Sequence, residues 1–214
     1  MRRVFLIARR ELFAYFRSPL GAVILAGALL IDGVYFYWKG LSQKQVSAEV
    51  LREFFNGTSG VIMAASLFLA MRLFAEERQT GTLVLLNTAA IKDWEIVLGK
   101  FLSAFLVIAL LTVLTAYMPA LILISGKVSA GHVAVGYLGI LLIGSAAISI
   151  GLFGSALARS QVVAIIVSAA LLAVMLLLWA VARSVDPPLN RYIAGLALHH
   201  DNFRPFMQGR LELG

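Results

Sequence analysis

Five apolar runs of roughly 20 residues, separated by short polar segments, constrain this chain more than any other feature. A helix that rises 1.5 Å per residue needs roughly 20 apolar residues to cross about 30 Å of hydrocarbon. In that medium every backbone N–H and C=O must be satisfied inside the segment, which leaves helices as the natural solution. The runs at 20–38, 58–74, 101–124, 133–157 and 162–182 meet the length. They predict an all-α integral membrane protein, a polytopic helical bundle with five spans. Of 214 residues 61% are hydrophobic and 14% charged, and mean hydropathy is +0.91. An ordinary soluble domain does not have that composition.

Orientation follows from the cations beside the spans. Arg2, Arg3, Arg9, Arg10 and Arg17 all precede the first run, which argues for a cytoplasmic N-terminus in a multi-pass protein of the cytoplasmic (inner) membrane. Counted over the chain, ten of the 18 Lys and Arg fall on that side and eight on the other. The bias rests on the first cluster, because all of the outer cations but Lys127 lie in the longer segments 39–57 and 183–214, where the rule loses force. The net charge of +7 is spread along membrane-flanking stretches. The bilayer is therefore the expected partner, and nucleic acid is not. With no cysteine, disulfides and thiolate metal sites are excluded. No cleavable signal is expected, since a sufficiently long apolar run starts only after Pro19.

Residues 1–18 read as an interfacial elbow helix. Val4, Phe5, Ala8, Leu12, Tyr15 and Phe16 share one helical face and the arginines the other. Ser18-Pro19 ends it, because proline cannot continue the helix and disfavours helical geometry at Ser18.

Between the second and third runs lies a charged island, 75–100, in a chain that otherwise avoids charge. Glu76, Glu77 and Arg78 come first, then Gly81-Thr82, which can break and recap a helix. Leu83 to Leu86 follow as an apolar ridge. A short rigid piece with a ridge and flanking charges suits a groove in a soluble partner. Read from physics alone, the same residues also fit a solvated loop whose leucines rest on the membrane surface.

Inside the spans, Asp32 stands out, since an acid at mid-bilayer costs roughly 2.5–3.5 kcal/mol and must face protein or water. It reads either as part of the polar lining of a dimer cleft or as a local partner of Lys39 near the headgroups. Arg72 is expected to snorkel or to pair with Glu76 one turn on. Ala147, Gly151 and Ser155 form a small-residue face that permits close helix contact. The outer segment 39–57 suggests a short amphipathic or re-entrant helix. His199-His200-Asp201 is the single cluster that resembles a metal site, and adjacent residues do not converge on one ion unaided; no metal is expected. There is no Gly-x-x-x-x-Gly-Lys-Ser/Thr to cradle a nucleotide phosphate, no His-Glu-x-x-His and no Gly-x-Ser-x-Gly. The chain is not expected to be an enzyme.

Three stretches resemble a known family. The opening Arg9-Arg10-Glu11-Leu12-Phe13-Ala14-Tyr15-Phe16-Arg17-Ser18-Pro19 and residues 75–102, from Ala75-Glu76-Glu77-Arg78 to Gly99-Lys100-Phe101-Leu102, are similar to ABC-2 type permeases. Gly151 to Gln161 is similar to that family's turn between its fourth and fifth spans. They resemble in particular the branch associated with gliding motility and with copper-site maturation of nitrous oxide reductase. The resemblance implies one permease transmembrane domain over 1–214, with 75–100 as a cytoplasmic coupling segment and 183–214 as an extracytoplasmic C-terminal segment. It implies two cytoplasmic ATP-binding subunits that bind ATP and magnesium, leaving no cofactor in this chain. A second permease, as homo- or heterodimer, is implied as well. The contact with the ATPase would be made by Glu76, Glu77, Arg78, Gly81, Thr82, Leu83 and Leu86. The implied function is export or extrusion of a substrate through a dimer interface. The alternative is a membrane scaffold of the gliding or envelope-assembly type that passes motion to periplasmic accessory proteins and moves no substrate. Members of this branch usually carry a sixth span after a segment like 183–214, so the sequence is expected to be truncated.

Overall fold

The computed structural model describes residues 2–41, 47–82, 91–125, 129–183 and 200–209. Eight α-helices are described: α1 (Arg2–Arg17), α2 (Pro19–Tyr35), α3 (Ser47–Gln79), α4 (Asp93–Leu114), α5 (Tyr117–Ser125), α6 (Ala130–Leu157), α7 (Gln161–Arg183) and α8 (His200–Met207). A π-helical turn, Phe36–Leu41, continues α2. Among the described residues there is no strand. Five segments among the described residues are long and apolar enough to cross a membrane: Pro19–Lys39, Ser47–Gln79, Asp93–Leu123, Ala130–Leu157 and Gln161–Ala182. The chain is an all-α, multi-pass membrane protein.

The second span departs most from its sequence boundaries. It begins at Ser47 rather than near residue 58, so 47–57 is neither a separate amphipathic helix nor a re-entrant one. At 33 residues α3 is about 50 Å long and overhangs about 30 Å of hydrocarbon. The apparent amphipathic motif is its outer end, where Leu51, Phe54 and Phe55 are buried. Phe54 and Phe55 meet at 5.3 Å between ring centroids, Phe36 meets Phe54 at 5.8 Å and Tyr137 meets Phe55 at 5.6 Å, the last two edge-on.

α3 is the central element. Its most apolar stretch is 67% buried, against 22% for the α2 span and 18% for the α7 span, and it packs against all four other spans. The tightest partner is α6, through the expected small-residue face. A methyl added at Gly151 would lie 2.5 Å from the Ala70 Cβ. One turn on, the buried Ser155 hydroxyl donates to the Met71 carbonyl at 2.9 Å and accepts from the Ala75 N–H at 3.1 Å. A serine side chain thus enters the hydrogen-bond ladder of α3. At the opposite end, α8 folds back on α6: the His132 ring nitrogen Nε2 is 2.8 Å from the Met207 carbonyl, and Gly139 lies under Phe203 and Phe206.

Candidate functional site

Ser18 is extended (φ −88°, ψ 132°), and its hydroxyl accepts the Leu20 N–H at 3.2 Å, with Pro19 opening α2. The elbow is therefore real, and it directs α1 across one end of the bundle. Arg3 faces Glu95 at 3.8 Å, Ile7 fills the space where Gly99 lacks a side chain, and the Tyr15 hydroxyl donates to the Leu69 carbonyl of α3 at 2.8 Å. Burial raises the Tyr15 pKa above the usual phenol range.

The inward stripe of α1 differs from the sequence expectation. Ile7, Ala8 and Tyr15 are buried, whereas Phe5 is 63% and Phe16 53% exposed. The face is rotated because Glu11 also turns inward. Its Oε1 is 3.5 Å from the ammonium of Lys100 on α4, which in turn lies 2.9 Å from Glu77 Oε1 at the end of α3. Arg10 closes the group, 2.6 Å from Glu11 and 2.9 Å from Glu77. Lys100 also donates to the Leu73 carbonyl and sits 5.1 Å from the centre of the Phe74 ring. Two cations and two carboxylates thus join three helices. The hydrogen bond to Glu11 raises the Arg10 pKa above its ordinary value.

This geometry revises the island. Glu77, which the resemblance puts in the ATPase contact with Glu76, has a side chain only 13% exposed and held by Lys100 and Arg10. Among the described residues its Oε2 has no partner. Glu76 pairs with Arg72 at 2.8 Å, as the spacing suggests, and Arg72 also reaches the Ser18 hydroxyl at 3.1 Å and the Tyr15 ring at 5.2 Å. Arg78 donates to the Ala158 carbonyl at 3.1 Å, just past the end of α6. Gly81 has φ +75°, a left-handed conformation suited to a helix C-terminus. The Thr80 hydroxyl donates to the Glu76 carbonyl at 2.9 Å and lies 3.0 Å from that of Thr82. Leu83 and Leu86, with the ridge between them, lie outside the described residues. Beyond them the Lys92 N–H donates to Glu95 Oε2 at 3.1 Å as α4 begins.

Asp32 is enclosed within the single chain. It is 2% exposed, its Oδ1 accepts from the Thr58 hydroxyl at 2.8 Å, and its Oδ2 is buried with no partner among the described residues. The expected pairing with Lys39 gives way to Thr58, because α3 extends far enough outward to pack against α2 at that depth. His199 and the His200 side chain lie outside the described residues, among which no group of three or more His, Asp or Glu could hold a metal.

Sequence reading missed Glu11, Arg10 and Lys100 as a unit. A signal existed: Lys100 sits next to the uninterrupted apolar run that begins at Phe101, and a cation there needs an acid. The sequence does not say which acid.

The architecture is that of a polytopic helical membrane protein with a charged node at one end of its bundle. Residues 25–201 match the family described as ABC-2 family transporter protein. The chain belongs to that family and is a permease subunit of the ABC-2 class. No curated protein and no solved structure matches it.

Proposed function

We propose that this permease couples ATP hydrolysis by two cytoplasmic ATP-binding subunits to export of a substrate, working with a second permease in the cytoplasmic membrane and with its N-terminus in the cytoplasm. ATP and magnesium belong to the partner subunits, and segment 75–100 receives their motion. The observation that carries this reading is the node of Glu11, Arg10, Glu77 and Lys100 beside the exposed turn at Thr80 to Thr82. A push on that turn moves the end of α3, and the shared ammonium passes the displacement to α1 and α4 together. Glu76, Arg78, Gly81 and Thr82 form the rim that a docked ATPase would meet, with Leu83 and Leu86 as the apolar part of the contact. Glu77 contributes from behind that rim.

A second reading, transmission of motion to periplasmic accessory proteins with nothing crossing, is favoured by the enclosure of Asp32. The groove of about 540 Å³ lined by Phe74, Val97, Leu98, Phe101, Leu152 and Phe153 is likewise apolar.

The native chain has no cysteine, so single cysteines report cleanly. With Thr82→Cys, a short bifunctional maleimide is expected to join the permease to its co-purifying ATPase. Ser129→Cys, at the opposite end of the bundle, should give no such product. If no ATPase co-purifies with the full chain, the coupling reading is lost; an intact complex with no Thr82 product moves the docking site elsewhere.

A further inference from the structure

The outward face of α1 meets the node only through Arg10. Arg9 and Arg17 are exposed, and neither makes an ion pair among the described residues, whereas Arg10 is committed to Glu11 and Glu77. Together with Phe13 and Ala14 these arginines line a concavity of about 570 Å³. The Arg9 guanidinium lies 5.5 Å from the centre of the Phe13 ring. Phe13 and Phe16 are 50% and 53% exposed, so two phenyl rings lie between the two cations along one face. Arg17 is also one residue from the cap of the first span, which places it within about one helical turn of the hydrocarbon boundary.

We propose that this face binds the headgroup of an anionic phospholipid in the leaflet on which α1 lies, the phosphate held between Arg9 and Arg17 and the acyl chains beside Phe13 and Phe16. The depth and the chemistry agree. Aromatic rings belong at the headgroup level, and arginines beside them meet negative charge there. The acidic face of a soluble protein would satisfy the arginines but leave the phenyl rings without an apolar environment. Ala14 matters by being small, since it leaves the floor of the concavity open between the arginines.

The inference does not depend on the transport reading, so its test uses the purified full chain without an ATPase. In nonionic detergent, native mass spectrometry follows the binding of dioctanoyl phosphatidylglycerol, dioctanoyl phosphatidylcholine and inorganic phosphate. Phosphatidylglycerol should bind in preference to the other two. Each arginine near an anionic surface is worth about fivefold in affinity, so the Arg9→Gln/Arg17→Gln variant should bind it about 25-fold more weakly. Arg9→Lys/Arg17→Lys should keep most of the preference, and Arg52→Gln, an exposed arginine on α3 far from α1, should leave it unchanged. Retention of the preference in the glutamine variant overturns the site. So does equal binding of phosphatidylcholine, or displacement of phosphatidylglycerol by free phosphate. If the glutamine variant binds lipid normally but no longer co-purifies with an ATPase, the face is a protein contact instead.

Discussion

Lys100 is fully buried, and its ammonium is shared between carboxylates from two other helices. Removing the cation leaves Arg10 alone to compensate two carboxylates in a poorly hydrated place, and breaking a buried pair from one side costs up to about 3–5 kcal/mol. Lys100→Met is therefore expected to lower the unfolding temperature of the purified chain sharply, as read by thermal size-exclusion. Glu77→Gln should cost less, because Arg10 and Lys100 keep Glu11. The exchange Glu77→Lys/Lys100→Glu should recover part of the loss, and a double-mutant cycle without coupling would show that the contact has no energetic role. Asp32 gives the converse case. Its Oδ2 is unpartnered, so Asp32→Asn keeps the acceptor for Thr58 while removing an expensive acid, and stability should hold or rise. Thr58→Val takes away the hydroxyl that donates to Oδ1 and should cost about 1–3 kcal/mol.

At the scale of elements, two glycines separate conformational from steric cost. Gly81 is left-handed, yet a methyl added there would meet nothing within 4 Å. Gly81→Ala should therefore cost about 1–2 kcal/mol through backbone strain alone, with Gly81→Asn milder and Gly81→Val worse. Gly151 is the opposite: its helical backbone is unstrained, but the Ala70 Cβ on α3 is too close for a methyl. Gly151→Ala is expected to cost about 1–3 kcal/mol by forcing α6 from α3. Gly60→Ala, on an open side of α3, should be neutral or slightly stabilising. Equal thermal shifts at Gly151 and Gly60 would refute close packing as the reason for the small residue.

For the whole molecule, the contacts of Arg72 with Ser18 and of Arg78 with Ala158 put the start of α2, the end of α3 and the end of α6 at one end of the bundle. Ser129, at the start of α6, lies at the other. Cysteines introduced singly at Ser18, Thr80 and Ser160 should react with an impermeant maleimide from one side of the membrane, and Ser129→Cys from the other. The orientation proposed from the N-terminal arginines makes the first group cytoplasmic; labelling of Thr80 from outside would reverse it and end the coupling proposal with it.

The sequence alone determined the class and much of the framework. Hydrocarbon imposes a length and a composition on any helix that crosses it, so all five spans were legible, as were the elbow at Ser18-Pro19, the Arg72–Glu76 pair and the small face of α6. Each of these is a local pattern: an apolar run, a proline, a spacing of four. The ends of the second span were less legible, because residues 47–57 mix charge with aromatics and become helical by packing on α2 and α6. The charged node was legible only as far as Lys100 calling for an acid, not in which acid answers. Glu11, Glu77 and Lys100 are far apart in the chain, and each alone looks like a solvated charge beside a membrane. Only the crossing of α1 over α3 and α4 brings them together, where burial and proximity turn separate surface charges into one mutually neutralised group.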